Sequence, residues 1–178
     1  MKQKLEKGFI QVYTGNGKGK TTAAIGQAVR AAGFGLRTYF VMLMKEFPYN
    51  EVKSLEKLKD FITIVQVGKD DFVYKKVPPP ESEKGKIKDA LAAAKVKMLS
   101  SEYDLIVLDE IFVSIYFGLI EKEDVIEFLS DKPQSVELIL TGRYCPQEII
   151  DKADLVTEMT EVKHYYEKGV LSRRGIES

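Results

Sequence analysis

The 178-residue sequence contains no tryptophan, one histidine and one cysteine. Its only cysteine, Cys145, excludes an internal disulfide and suits a reducing cytoplasm. No apolar run approaches the ~20 residues of a transmembrane helix, and residues 1–7 lack the apolar core of a signal peptide. Lysine plus arginine and aspartate plus glutamate both number 27, so no net charge draws the chain to nucleic acid. We therefore expect a cytoplasmic protein with neither a membrane nor a nucleic-acid partner.

The length of the chain and the order of its apolar runs predict one α/β domain over residues 1–178. Hydrophobic residues make up 44% and charged residues 30%, which is typical of a folded domain. Apolar runs without strict alternation predict strands buried on both faces, and helical stretches separate them. This order predicts a mainly parallel sheet flanked by helices, with ligands at the carboxyl ends of the strands. The predicted strands are 9–13, 38–43, 61–67, 105–108, 136–140 and 155–159, and the predicted helices are 23–32, 51–59, 83–99, 121–129 and 147–152.

Residues 14–22 read TGNGKGKTT and directly follow the first predicted strand. Glycines free the backbone to turn its N–H groups inward, and the helix that begins near Lys20 directs its positive end to the same place. The pattern predicts a loop that binds the phosphates of a nucleoside triphosphate, with Lys20 on phosphate oxygens and the Thr21 hydroxyl on Mg²⁺. The glycines of the loop are Gly15, Gly17 and Gly19, and its lysines are Lys18 and Lys20.

The loop departs from the consensus G-x-x-x-x-G-K-[ST] at its first position, where Thr14 replaces glycine. Threonine is β-branched and stiff, so we expect the loop to begin with a different bend. The nucleotide could then lie differently from that in ordinary P-loop enzymes. A solvated turn rich in glycine and lysine is the alternative interpretation, and the order strand, loop, helix argues against it.

Residues 105–110 read LIVLDE, an apolar strand that ends in two carboxylates, Asp109 and Glu110. In a doubly wound sheet we expect this strand end beside the phosphate-binding loop. One carboxylate there would bind Mg²⁺ directly or through water and so complement Thr21. The spacing does not indicate which of the two lies nearer the metal. The alternative is that both carboxylates only cap the segment that follows.

A third segment, LTGR at residues 140–143, ends another predicted strand. Arg143 is a candidate for bidentate contact with a phosphate group, and the alternative is an ordinary surface arginine. Arg30 lies farther along the first predicted helix. It is a candidate substrate contact or a residue of the solvated helix face.

Four segments, in this order, resemble the ATP:corrinoid adenosyltransferases of the cobalamin pathway. They are TGNGKGKTTAA, VLDE, LTGR and the closing ADLVTEM with VKHYYEKG, and the resemblance covers residues 8–177. Members of this family move the 5′-deoxyadenosyl group of ATP to the cobalt of a reduced corrinoid and release triphosphate. The resemblance implies a RecA-like P-loop fold, a homodimer and a nucleotide that lies reversed relative to common NTPases.

The resemblance also implies roles for individual residues. Thr21 and Glu110 match Mg²⁺-binding positions with Asp109 close by, and Arg30 matches a residue near the ribose. Arg143 belongs to the matching TGR segment. With Gly15 ahead of them, the residues that match the loop around the triphosphate are Asn16, Gly17, Lys18, Gly19, Lys20, Thr21 and Thr22.

The implied reaction is a substitution at the ribose C5′ in which low-valent cobalt is itself the nucleophile. The protein then has to hold cobalt and carbon in line and stabilise the departing triphosphate, for which Lys18, Lys20 and Mg²⁺ are suited. This agrees with a sequence in which neither His164 nor Cys145 has an evident activating role. We expect Lys20, Thr21 and Glu110 among the catalytic residues.

Residues 68–74, GKDDFVY, are similar to the family segment G-x-G-F-x-W, which places aromatic side chains under the corrin and eases cobalt reduction. Phe72 is retained, Tyr74 stands for the tryptophan, and Asp71 replaces the second glycine. Phe72 and Tyr74 are therefore further catalytic candidates. Packing of an aromatic loop against the core is the alternative.

Two other functional classes stay open. A conventional P-loop ATPase or kinase would react at the γ-phosphate, and a non-catalytic relative would bind ATP or a corrinoid without transferring a group. For the adenosyltransferase, the expected ligands are ATP, Mg²⁺ and a corrinoid acceptor. The expected protein partners are a second copy of the chain and a flavoprotein as candidate reductant. The sequence identifies neither the electron donor nor the preferred corrinoid.

Overall fold

Six strands form one sheet in the computed structural model, which describes residues 4–177 apart from the side chains of Tyr74 and Lys75. The strands are β1 (Ile10–Thr14), β2 (Thr38–Leu43), β3 (Ile62–Val67), β4 (Leu105–Asp109), β5 (Glu137–Thr141) and β6 (Leu155–Glu158). Their order is β3-β2-β4-β5-β1-β6, and every neighbouring pair is parallel. Each strand lies within one residue of its predicted bounds. Burial gives β2 and β4 a strong apolar signal, whereas β6 is exposed along its whole length.

Helices connect the strands and cover the sheet, which confirms the predicted α/β fold with a parallel sheet. The α-helices described are α1 (Lys20–Gly33), α2 (Asn50–Leu55), α3 (Asp71–Lys75), α4 (Glu81–Leu99), α5 (Ile111–Tyr116), α6 (Lys122–Ser130) and α7 (Gln147–Ile150), with 3-10 turns at Glu56–Leu58 and Tyr165–Lys168. Sequence reasoning missed α3, which is short, and α5, whose mostly apolar residues show no polar face. None of the described helices has the length and hydropathy needed to cross a lipid bilayer.

The two faces of the sheet belong to two separate apolar clusters. One face, with Val41, Ile106 and Leu140, packs against α4, α5 and α6. The opposite face, with Phe40 and Val107, packs against α1 and α2. Helix α1 contributes small buried side chains to this contact, namely Ala24, Ala28, Ala31 and Ala32. Small side chains allow the helix to lie close to the strands, which fixes the position of its first turn.

Strand β5 lies between β1 and β4, so the strand before the phosphate-binding loop and the strand that ends at Asp109 are not neighbours. Sequence reasoning placed the end of β4 beside the loop without this intervening strand. The two come together because α1 leaves the loop and packs over β4 and β5. The first turn of α1 thereby carries Thr21 to the carboxyl end of β4.

Candidate functional site

A cleft of about 630 Å³ opens at the carboxyl edge of the sheet. Its walls are the loop after β1, the segment from Lys45 into α2, the ends of β4 and β5, and the C-terminal segment. Most of the predicted site residues meet there, as expected for a parallel sheet. The predicted residues that line it are Asn16, Gly17, Lys18, Gly19, Lys20, Thr21, Thr22, Glu110 and Arg143.

The bend of the phosphate-binding loop begins at Gly15, one residue later than in the consensus. Thr14 still belongs to β1, where it pairs with Glu158. Gly15 has φ 94°, and a Cβ atom there would lie 2.5 Å from the Met159 carbonyl oxygen. The same oxygen accepts a 2.6 Å hydrogen bond from the N–H of Gly17. The segment after β6 therefore supports the loop from outside, and the stiff Thr14 extends the strand.

Lys20 curls back over the loop. Its Nζ donates 2.8 Å hydrogen bonds to the carbonyl oxygens of Gly15 and Gly17. Burial lowers the pKa of Lys20, while the nearby Glu110 opposes that shift. The ammonium thus holds the loop closed and lies at the floor of the cleft.

The N-terminus of α1 faces the same cleft. Gly19 precedes the helix with φ 119°, and among the described residues no side chain caps its first turn. The unpaired N–H groups and the helix dipole favour an anion at this end. Lys18 and Arg143, both exposed, add positive charge to the walls. The site can therefore bind a polyphosphate.

A chain of short hydrogen bonds organises the carboxylate side of the cleft. Asp109 is completely buried and accepts a 2.6 Å bond from the Thr141 hydroxyl through Oδ1. The Glu110 N–H donates to the same hydroxyl oxygen at 3.0 Å. The Thr21 hydroxyl lies 3.2 Å from Asp109 Oδ2, so α1, β4 and β5 meet at these groups.

The two carboxylates differ in their access to the cleft. Glu110 lines it, whereas Asp109 is enclosed beneath. Burial raises the pKa of Glu110, the charge of Asp109 raises it further, and Lys45 and Lys20 oppose both effects. Hard oxygen atoms of this kind are the ligands that Mg²⁺ prefers, provided that phosphate oxygens and waters complete the shell. The part of the chain that the structure describes contains no group of three or more His, Cys, Asp or Glu side chains that could hold a metal without such help.

Lys45 is a site residue that sequence reasoning missed. Its Nζ donates to Asp109 Oδ2 at 2.7 Å and to Thr21 Oγ1 at 2.9 Å, and it lies 4.0 Å from Glu110 Oε1. Burial alone would lower the pKa of Lys45, but Asp109 and Glu110 outweigh it, and the pKa is raised. Lys45 follows the carboxyl end of β2, so the rule that ligands lie at strand ends could have identified it.

Five described residues other than glycine have a positive φ, and three of them follow strands at the cleft: Met44 at 58°, Glu110 at 62° and Tyr144 at 64°. Such conformations cost ~1–3 kcal/mol each and persist where the surrounding structure enforces them. They turn the chain sharply at the ends of β2, β4 and β5. A charged residue of each turn lines the cleft: Lys45 after Met44, Glu110 itself, and Arg143 before Tyr144.

Gly142 has φ 142°, and a Cβ atom on it would lie 3.0 Å from Phe112, so the turn before Arg143 requires glycine. Arg30 is not brought to the cleft. It lies exposed on α1, and its guanidinium donates to Gln27 on the same helix at 3.2 Å. Arg30 therefore has the solvated position that was its alternative, and its contact with the ribose stays a prediction.

Phe72 also lies away from the cleft. Its side chain is 2% exposed and packs in the core, edge-to-face with Phe117 at a centroid distance of 6.0 Å. This is the packing role that the sequence left open as the alternative to a corrin contact. Phe117 contacts Tyr116, which stacks on Tyr144 at 4.2 Å, so a row of aromatic rings leads from the buried Phe72 to the exposed Tyr116 and Tyr144. The side chain of Tyr74 lies outside the described residues.

Comparison with known proteins agrees with this geometry. A profile of the family described as ATP:corrinoid adenosyltransferase BtuR/CobO/CobP matches residues 6–178. The corrinoid adenosyltransferase of Escherichia coli K12 is 34% identical over 173 residues, which cover 97% of this chain and 86% of that protein. The corrinoid adenosyltransferase CobA of Salmonella typhimurium is 34% identical with the same coverage. A corrinoid adenosyltransferase of Sinorhizobium is 31% identical over 97% of this chain and 81% of its own length. This chain therefore belongs to the ATP:corrinoid adenosyltransferase family BtuR/CobO/CobP.

Proposed function

We propose that the protein transfers the 5′-deoxyadenosyl group of ATP to the cobalt of a reduced corrinoid and releases triphosphate. The observation that carries the proposal is the cleft at the carboxyl edge of the sheet, in a chain that belongs to this family. Glycine-rich backbone, Lys18, Lys20 and Arg143 surround a space suited to three linked phosphates. The expected triphosphate site consists of the predicted residues that meet at the cleft, with Lys45 added.

The bond changes require no nucleophile from the protein. An electron pair of cobalt(I) forms the cobalt–carbon bond at C5′ while the C5′–O bond breaks, and its pair leaves on the triphosphate oxygen. Burial raises the pKa of the Cys145 thiol to about 12 and keeps it protonated, so it is not an activated nucleophile. His164 lines the cleft, but its Nδ1 accepts the Tyr166 N–H at 3.1 Å and is engaged with the backbone.

The task left to the protein is to orient ATP and to stabilise the charge that develops on the leaving triphosphate. Lys20, at the floor of the cleft, and Lys18 and Arg143, on its walls, provide that charge. Backbone N–H groups at the start of α1 add hydrogen-bond donors. Thr22, Asn16 and the glycines shape the loop around the phosphates.

Mg²⁺ would be held by Thr21, Glu110 and Asp109, whose oxygen atoms suit this ion. When bound, it neutralises negative charge on the phosphates. Glu110, which lines the cleft, is the more accessible carboxylate, and Asp109 positions the Thr21 and Thr141 hydroxyls from beneath.

The proposal also covers the location of the enzyme, its oligomeric state, its electron donor and its contacts with the corrin. We place the enzyme in the cytoplasm as a one-domain homodimer that receives electrons from a flavoprotein. All six strands join one sheet, which supports the single domain. Phe72 and Tyr74 are retained as residues that contact the corrin during cobalt reduction. For Phe72 this requires α3 to leave its packed position, because the side chain is buried in the described state.

The test is incubation of the protein with ATP, Mg²⁺ and chemically pre-reduced cobalamin. We expect the absorbance change of cobalt–carbon bond formation, with one triphosphate released per corrinoid. Release of orthophosphate without that absorbance change would instead identify an ATPase or kinase. Corrinoid binding without a cobalt–carbon bond would identify a non-catalytic relative.

A further inference from the structure

The ammonium of Lys45 occupies the centre of the groups proposed to bind the metal. It contacts Asp109 Oδ2 at 2.7 Å and Thr21 Oγ1 at 2.9 Å, and Glu110 Oε1 lies 4.0 Å away. Without this cation, Asp109 would be a completely buried carboxylate whose remaining described bonds come from the Thr21 and Thr141 hydroxyls. Burying a carboxylate is costly, and a hydrogen-bonded positive partner offsets that cost.

A metal ion and this ammonium cannot share the position. Mg²⁺ bonded to the Thr21 hydroxyl and to Asp109 Oδ2 would need oxygen ligands at ~2.0–2.1 Å. The Lys45 nitrogen lies 2.9 Å and 2.7 Å from the same two atoms, so the ion would be within ~4 Å of it. Two cations at that separation in a partly buried site repel strongly. Binding of the ion therefore requires the ammonium to move.

The Lys45 ammonium can move to another position within the cleft. Its side chain lines the cleft, and its flexible four-carbon stem allows the ammonium to turn toward the space assigned to the triphosphate. There the cation would meet phosphate oxygens and exchange one anionic partner for another. The turn at Met44, with φ 58°, fixes the backbone next to Lys45, so the movement is confined to the Lys45 side chain.

We propose that Lys45 occupies the place of the metal ion: its ammonium holds Thr21, Asp109 and Glu110 together without nucleotide, and it moves to the triphosphate when the metal binds with ATP. The site consequently rejects free divalent ions and accepts them only together with the nucleotide that receives the displaced ammonium. The inference rests on the proposed function for the identity of the triphosphate. The exclusion of free metal is independent of any cobalt chemistry.

The test measures binding of Mn²⁺ alone, without nucleotide, by the loss of the free-ion electron paramagnetic resonance signal. We expect Lys45→Met to bind one Mn²⁺ at least tenfold more tightly than the unmodified protein. The double variant Lys45→Met, Asp109→Asn should lose that binding. Equal Mn²⁺ affinity with and without Lys45, or binding that survives in the double variant, would overturn the proposal.

Two further variants test whether a change in Mn²⁺ binding comes from loss of the Lys45 cation rather than from replacing any lysine. Lys45→Arg keeps the cation and should exclude free Mn²⁺ as the unmodified protein does. Lys53→Met removes an exposed lysine of α2 and should change nothing. Melting supplies a second readout: Mn²⁺ should raise the melting temperature of Lys45→Met but not that of the unmodified protein. A Lys45→Met protein that folds and gains no stability from Mn²⁺ contradicts the proposal even if adenosyl transfer itself is intact.

Discussion

The carboxylate of Glu177 lies 3.9 Å from the ammonium of Lys18, which joins the C-terminal segment to the phosphate-binding loop. Lys18 also donates to the Ile176 carbonyl oxygen at 3.4 Å. Glu177 is held in turn by Arg173, at 3.0 Å, and by the Tyr165 hydroxyl. The C-terminal segment thus forms one wall of the cleft, and its carboxylate competes with phosphate for Lys18.

Glu177→Gln is expected to tighten ATP binding, since it removes a negative charge from the wall and frees Lys18. The pair is partly exposed, with relative side-chain exposures of 47% and 14%, so the gain should be modest, about two- to fivefold at low salt. Glutamine can still accept bonds from Arg173 and Tyr165. Isothermal titration at low and high salt measures the effect, with exposed Glu167→Gln as the control. Weaker binding by Glu177→Gln would show that the carboxylate helps to close the site.

Lys20→Ala should weaken ATP binding by about 30-fold or more, because charge-assisted hydrogen bonds contribute ~1.5–3 kcal/mol each. The loop also loses the bonds that Lys20 makes to Gly15 and Gly17, so its shape becomes less defined. Equilibrium binding of ATP is the measurement, and Lys53→Ala on α2 serves as the matched control. An unchanged ATP affinity in Lys20→Ala would refute the assignment of the phosphate site.

Phe72→Ala should lower the free energy of unfolding by about 3–5 kcal/mol, because the ring is buried in the core and its loss leaves a cavity. Phe72→Leu should cost far less. Urea denaturation distinguishes the two variants. The Leu variant is then the one in which to compare transfer from cobalt(II) with transfer to pre-reduced corrinoid. Equal slowing under both conditions would argue against a role in cobalt activation.

Cys145 should react slowly with iodoacetamide at pH 8, since burial raises its pKa to about 12 and little thiolate forms. The folded state holds the thiol proton more tightly than the unfolded chain, so this group stabilises the fold fully below the ordinary thiol pKa. That contribution declines as the pH rises above it. Mass spectrometry of native and urea-unfolded protein gives the two labelling rates. Rapid labelling of the native protein at pH 8 would contradict the raised pKa of this partly buried thiol.

Features formed by consecutive residues could be predicted from the sequence, whereas contacts between distant segments could not. The strands and α1 were predicted because apolar runs and the phosphate-loop pattern each consist of consecutive residues. The insertion of β5 between β1 and β4 was not found, since strand order depends on packing between distant segments. Lys45 was missed for the same reason: its partners Asp109 and Thr21 come from other elements. Phe72 matched a motif, but the motif did not reveal that its ring is enclosed by Phe117.

The position of β1 in the sheet affects how the protein folds during its synthesis. β1 lies between β5 and β6, and the Gly17 N–H is held by Met159, so these supports of the early loop are synthesised late. A ribosome releases the glycine-rich segment long before the strands that shape it. In a nascent chain the loop therefore gains these contacts only after almost the entire polypeptide has emerged.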